Sequence, residues 1–575
     1  VPELFTYVLA VALSMSFTML MTVVLTTRLG WAWQAAAGVT ALACIAALGF
    51  AIWRVPNPPA PPVDDSPRDV ADGDVVDRRR GGPLARVLFG VVGLAVAIAG
   101  IAATDAADIG PWGIFDAVPR WYYAGTTLIV IGLIANLVSH GRRRIALAWA
   151  HLVALVFAIH GVPAIAEPHP RFPVAWLHVA FADHIAGGGR LLQTADARFS
   201  WPGFFSGAAY LERLSGTDTM LWALAFAPVV VNCASAALVY ELGRTLGLSQ
   251  ARSTVAALVL VLTNWIGQDY FAPQAAAFLL VLTVIDLTLR NRSLRPPGGF
   301  RARLLRSRVP TTRPYSLGPI DTLVVIVVLA AALIVSHQLS PVMLLCILAG
   351  MVIAHRAGSF QVVVIVALGF AGWLSYAAEA YWIGHADIIF GSVGDVSGAV
   401  SQNVTERSRP GADIRQTIVR MRMLTVLLVW LCAGAHVLIQ RVRRRLDPAV
   451  AILLAGPFVP FVLQPYGGEG LLRTALFSLP GAALAAAQLL PAMPSGSAVR
   501  RLGAVAGALA ATIAVPTLLI TRYGNESYEQ ITDDDLAMYS ITRDELDHAR
   551  SEGRRFRLLS AEQPSPMLIG RMEDY

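Results

Sequence analysis

Residues 319–354 read PIDTLVVIVVLAAALIVSHQLSPVMLLCILAGMVIA. Two apolar runs, 319–336 and 338–354, flank one short polar break, Ser336-His337-Gln338-Leu339-Ser340-Pro341. A bilayer core is crossed by ~20 apolar residues in helical form, and a helix satisfies its own backbone where no water is present. The stretch therefore predicts two membrane helices joined by a tight polar turn. The same pattern recurs near 5–26, 31–53, 86–104, 121–140, 144–163, 219–243, 251–267, 271–289, 359–378, 420–440, 449–465, 472–492 and 503–521. Fifteen such spans of ~20 residues take up ~300 positions, just over half of the 575 residues.

Composition agrees. Of all residues, 56 % are hydrophobic and 14 % charged, against about 25 % charged in soluble domains. That excludes a water-soluble enzyme, a disordered chain and a secreted disulfide scaffold. The expected fold class is an all-α polytopic membrane protein of about fifteen transmembrane helices.

The formal charge is +7 and no lysine occurs, so every basic residue other than histidine is arginine. The arginines gather in short loops: Arg78-Arg79-Arg80, Arg142-Arg143-Arg144, Arg244 with Arg252, Arg290 to Arg313, His355-Arg356, Arg441 to Arg445 and Arg500-Arg501. With fifteen spans all of these loops fall on one side, which the positive-inside rule makes cytoplasmic. The N-terminus is then cytoplasmic and the C-terminus outside, in a plasma membrane. This placement explains the arginines without nucleic acid. Cys44, Cys233, Cys346 and Cys432 lie inside apolar runs, with neither metal-ligand spacing nor a disulfide framework. The first apolar run is of span length and soon followed by another, so it reads as an anchor.

The chain divides into a two-helix hairpin at 1–53, a Pro- and Asp-rich cytoplasmic linker at 54–85, a core at 86–521 and a polar tail outside at 522–575. The linker composition predicts disorder. Segment 291–317 is basic and rich in Pro and Gly, suited to anionic lipid headgroups. Two long outer loops interrupt the core, at 164–218 and 380–418.

Four outer segments carry chemistry. Loop 164–218 contains Phe181-Ala-Asp183-His184-Ile, the triplet Gly187-Gly-Gly189, and Asp196-Ala-Arg198-Phe-Ser-Trp201-Pro202-Gly-Phe-Phe205. Short amphipathic helices in the interface fit this pattern. Asp183 in an apolar helix is costly unless paired or used; the bland alternative is a cap or an ion pair with Arg190 or Arg198. The second segment is Gln268-Asp269-Tyr270-Phe271-Ala-Pro273-Gln274, readable as a turn with Asp269 as N-cap and Pro273 in the first helical turn. The third is the break at His337-Gln338, where polar groups could hold a phosphate or sugar or simply bond between helices. The fourth is Gln464-Pro-Tyr-Gly-Gly-Glu469-Gly-Leu-Leu-Arg473. Glu469 and Arg473 share a helix face, and arginine grips phosphate bidentately. A structural ion pair is the alternative. All four lie at the outer face under this topology.

The long first outer loop with its apolar-flanked acid, the many spans and the polar outer tail resemble the GT-C superfamily of integral-membrane glycosyltransferases. The quoted segments, with Arg522-Tyr523-Gly524-Asn-Glu526, are similar to actinobacterial members over roughly residues 144–530. The resemblance implies transfer of a sugar, such as mannose or arabinofuranose, from a polyprenyl-phosphate donor to a cell-envelope glycan or glycolipid acceptor, with inversion. It assigns Asp183 as general base and Arg473 to the leaving phosphate. His337 or Gln338 would act as donors, with Gln268 and Tyr270 beside them. Asp269 and Glu469 would bind sugar hydroxyls or orient Arg473. Secondary candidates are His184, Asp196, Arg198, Asp387 and Arg415. Many relatives carry an adjacent acidic pair where this chain has Asp183-His184, and one carboxylate is a poor divalent site. No metal or other cofactor is assigned.

Two other classes remain. A lipid-linked glycan flippase would show charges within spans and internal repeats; neither stands out in the sequence. A polysaccharide polymerase or ligase would consume a lipid-diphosphate substrate.

Overall fold

The computed structural model describes residues 4–29, 31–54, 83–139, 143–188, 190–290, 318–354, 356, 360–390, 398, 413–463, 469–489, 498–554 and 565–572. Most of the 54–85 linker, the basic loop 291–317, residues 464–468 and most of 391–412 lie outside the described residues. Those described form helices and turns without a strand, with a single isolated bridge between Gly110 and Gly113.

Every one of the fifteen apolar runs is helical over most of its length. Nine helices among the described residues are long and apolar enough to cross a bilayer, and five more are apolar but shorter. The chain is thus a polytopic helical membrane protein. The short helices have local causes. Helix Pro319–Ser336 stops at His337, and Ser340–Ile353 begins with Pro341 in its first turn. Proline there gives up only an N–H that the helix leaves unpaired anyway. Residues 448–463 split into Pro448–Ala455 and Phe458–Leu463 around Gly456 and Pro457.

Two apolar clusters organise the bundle. One joins Leu4–Val24, Pro273–Arg290, Pro319–Ser336, Ser340–Ile353 and Gly470–Leu489. The other joins Pro83–Ala102, Arg120–Val138, Arg144–His160 and Ala498–Tyr523. Helices Leu221–Thr245 and Gln250–Thr263 contribute to both, for example Leu242 and Leu260 to the first and Tyr240 and Val261 to the second. A helix apolar on all sides belongs in such a shared wall. Helix Asp413–Val442 is its opposite, with only 11 % of its apolar window buried and Leu424, Leu427, Leu428 and Leu431 exposed. An apolar surface of that extent suits lipid rather than water.

Charge inside the bundle is greater than the sequence suggests. Arg290 bonds Glu241 at 2.6 Å and Asp286 at 2.9 Å, all three buried. Asp286 and Arg290 share a helix face four apart, and Glu241 joins them from a neighbouring helix.

The 164–218 segment forms helices Pro173–Ala186 and Gly203–Ser215, packed through Leu177, Phe181, Phe199, Phe205 and Ala209. Gly203 lets the second helix approach the bundle, since a Cβ there would lie 2.4 Å from Ser336 Oγ. The tail folds back onto this hairpin. Helix Asp533–Ser551 is capped by Thr532 and Asp535, and Leu568 and Met572 insert into the hairpin core.

Candidate functional site

A cavity of about 250 Å³ opens where the four polar segments meet. His178, Arg198, Trp201 and Phe205 come from the hairpin; Gln268, Tyr270 and Gln274 from the turn before helix Pro273–Arg290; His337 and Gln338 from the polar break; Glu469 and Arg473 from the start of helix Gly470–Leu489. Apart from His178, inside helix Pro173–Ala186, the contributors sit at turns or helix ends.

Arg473 is the centre. Its guanidinium donates to Glu469 Oε2 at 2.7 Å, to Gln268 Oε1 at 2.5 Å and to Gln274 Oε1. Its Nε has no partner among the described residues. An arginine so held is preoriented, and the three bonds leave two of its five N–H groups unused. The pairing of Glu469 with Arg473 is the i, i+4 contact that the spacing implies.

His337 Nδ1 accepts from the backbone N–H of Ser340 at 3.1 Å and of Leu339 at 3.3 Å, and from the Ser340 hydroxyl at 2.9 Å. It thereby caps helix Ser340–Ile353. Burial first, and the Arg473 charge second, lower its pKa to about 3. The ring is neutral, and with Nδ1 accepting, this hydrogen-bond network assigns its proton to Nε2. Arg198 is clamped by Asp196 at 2.5–3.1 Å, and Asp196 also caps the turn Ala197–Ser200. Tyr270 is half-buried and stacks on His178 with ring centroids 5.8 Å apart. His178 Nδ1–H donates to Phe271 O at 2.9 Å, and burial lowers the ring's pKa to about 4.

Four expected participants stand elsewhere. Asp183 does not line this cavity: its Oδ2 accepts from the Gly570 N–H at 2.8 Å, so it pins the returning tail instead of pairing with Arg190 or Arg198. His184 bonds the Arg190 carbonyl at 2.9 Å. Asp269 is 3 % exposed, bonds Arg522 at 2.6 Å, and accepts from Asn232. Burial pushes its carboxyl up, but the Arg522 charge, His160 and the hydrogen bonds outweigh this and hold it below the usual range. It is neither an N-cap nor part of this cavity wall. Arg415 sits in the first turn of helix Asp413–Val442 and lines no described cavity. The side chain of Asp387 lies outside the described residues. Among the described residues no group of three metal-ligating side chains gathers.

A second cavity of about 130 Å³ lies across Tyr270, which lines both. Its wall includes His160, Glu167, Arg171, Phe172, Arg522 and Tyr523. Arg171 bonds Glu526 at 2.5–2.6 Å and also Glu529, and stacks on Phe172 at 4.0 Å. Phe172 holds φ 69°, rare for a bulky residue, while its N–H donates to Glu529 O at 2.9 Å. Glu167, Arg171 and Glu529 escape sequence reasoning because Arg171 and Glu526 are 355 residues apart. The only signals are their places in the 164–218 loop and at the head of the 522–575 tail.

Glu167 and Glu526 are neighbouring buried carboxyls. Burial, then the Glu526 charge, raise the Glu167 pKa well above its ordinary value. Burial also raises Glu526, against the opposing Arg171 charge, to about 7. A raised carboxyl stabilises the fold below its unfolded pKa and loses that contribution as pH rises through its folded pKa. Tail docking is therefore expected to weaken as pH climbs through about 7. Hydrogen exchange of residues 526–551, followed from pH ~5 to ~9, should speed up beyond the intrinsic rate change. Glu167→Gln, which keeps a donor and removes the charge, should flatten that excess. Equal profiles in both proteins would contradict a coupling of the Glu167 and Glu526 charges to tail docking.

Compared with known proteins, the chain matches no family model, no curated protein and no solved structure.

Proposed function

We propose that the chain is a membrane glycosyltransferase. It would move a sugar from a polyprenyl-phosphate carrier to a cell-envelope glycan or glycolipid at the outer face of the plasma membrane. In this reading all fifteen apolar helices span, the N-terminus is cytoplasmic, and the tail lies outside. The observation that carries it is the Arg473 cavity: a preoriented guanidinium with unused N–H groups, beside a neutral His337, within an apolar helical bundle. A lipid-linked phosphate needs such a combination of cation, donor and apolar surroundings.

In the reaction, an acceptor hydroxyl oxygen attacks the anomeric carbon as the bond from that carbon to the phosphate oxygen breaks. The electron pair leaves on the phosphate, where Arg473 and His337 Nε2–H meet it. The hydroxyl proton passes to a carboxylate. Glu469 lines the cavity, whereas Asp183 is bound to the tail. A phosphate at Arg473 would compete with Glu469 for the guanidinium and leave that carboxylate able to accept the proton. Glu469 is thus the favoured base and Asp183 the alternative.

The test is transfer by purified protein in nanodiscs, with a panel of polyprenyl-phosphate sugars and an envelope glycolipid extract. Glu469→Gln should lower transfer by ~10²–10⁴-fold, with Asp183→Asn near wild type. The reverse pattern would move the base to Asp183. Transfer from lipid-diphosphate substrates alone would replace the reading with a polymerase or ligase.

A further inference from the structure

The walls of the second cavity carry polar atoms that no N–H or O–H donor or fixed acceptor among the described residues satisfies: both Glu167 oxygens, both His160 ring nitrogens and Arg522 Nε. All three residues are more than nine-tenths buried, at 7, 1 and 4 % exposed. Burying polar groups without partners is unfavourable, so three of them around one hollow point to a ligand that supplies the missing bonds.

The charges restrict its chemistry. Arg171 is matched by Glu526 and Glu529, and Arg522 by Asp269. No cation is left over for a phosphate or carboxylate. A metal ion would sit between two guanidinium groups, with the Glu526 oxygens already taken by Arg171. A neutral ligand bearing hydroxyls meets both needs. Its O–H groups can donate to Glu167 and its oxygens can accept from Arg522 Nε–H, while His160 can take either role. Phe172, Tyr270, Pro163 and Pro228 supply apolar faces for ring C–H groups. The hollow has a volume of about 130 Å³ and is open on one side, so a ligand larger than the hollow can enter it in part.

We propose that this cavity is a subsite for one sugar unit. The choice of a sugar over another polyol rests on the transferase reading, since the shared Tyr270 wall puts the subsite beside the Arg473 cavity. The test does not use transfer. Saturation-transfer difference NMR would be recorded for methyl α-D-mannopyranoside and methyl α-D-arabinofuranoside with the full chain in nanodiscs, without lipid donor. At least one glycoside should give a signal with wild type. Glu167→Leu should reduce it by ~5-fold or more, the loss of one hydrogen-bonded contact. Ala164→Leu, which adds bulk at a wall position and leaves the polar residues in place, should do the same.

Arg473→Ala should leave the signal intact. Glu167→Leu should also melt at or above the wild-type temperature, because it removes a buried carboxyl without a fixed donor. Four results would overturn the subsite: no signal from either glycoside with folded wild type, which leaves a water-filled hollow; a signal unchanged in both leucine variants; a signal lost in Arg473→Ala alone, which moves the sugar to the first cavity; or a Glu167→Leu protein that melts well below wild type, which makes Glu167 structural. Glycoside binding without any sugar transfer would retain the subsite and discard the transferase reading.

Discussion

Arg522→Ala is expected to destabilise the protein by about 3–5 kcal/mol, the cost of leaving a buried charge without its partner. Asp269 is 3 % exposed and Arg522 4 %, and their side chains meet at 2.6 Å. Arg522 also donates to the Asn264 carbonyl at 3.3 Å, so it ties helix Ala498–Tyr523 to the turn that carries Gln268 and Tyr270. Thermal unfolding in nanodiscs should show a large drop, and Asp269→Ala should show a comparable one. The double variant Arg522→Met with Asp269→Leu should recover much of the loss, since apolar replacement of both members of a buried pair is often tolerated. An Arg522→Ala protein that melts with wild type would show that the pair does not hold these elements together.

Arg473→Ala should produce the largest functional effect. Removing one preorganised donor from a developing anion costs ~10²–10³-fold in rate, and Arg473 also supplies the positive charge. The fold should survive, because the Gln268 and Gln274 amides face a cavity that can hold water. Arg473→Lys should recover only part of the activity, since an ammonium keeps the charge but cannot reproduce the planar fork. The transfer assay checks this with unfolding as a control. Arg473→Ala transfer within about threefold of wild type would remove Arg473 from the phosphate role.

The helical architecture is legible because apolar runs of span length have few alternatives in a chain with so few charges. Even the short helix pair around His337 follows from its polar break and Pro341. The cavity is legible in part. Its contributors are polar segments at turns, and a common end of a bundle brings such turns together. Asp183 illustrates the limit. An acid in an apolar helix signals an unusual environment, but the partner is the backbone N–H of Gly570, far away in sequence and chemically silent. Asp269 shows the same from another side. Its sequence neighbours suggest a helix cap, whereas Arg522 takes it into the core. Long-range pairing also hides the Arg171–Glu526–Glu529 group. Apolar residues in a polar tail, among them Ile531, Leu568 and Met572, are the sequence trace of the tail's return to the hairpin.

The central claim is that the Arg473 cavity holds a lipid-linked phosphate. Native mass spectrometry from nanodiscs would test it most directly, with decaprenyl phosphate and unphosphorylated decaprenol offered to wild type and Arg473→Ala. The account predicts that wild type retains the phosphate lipid in preference to the alcohol, and that Arg473→Ala abolishes the preference. Equal retention of both lipids by wild type, or an unchanged preference in Arg473→Ala, would contradict it.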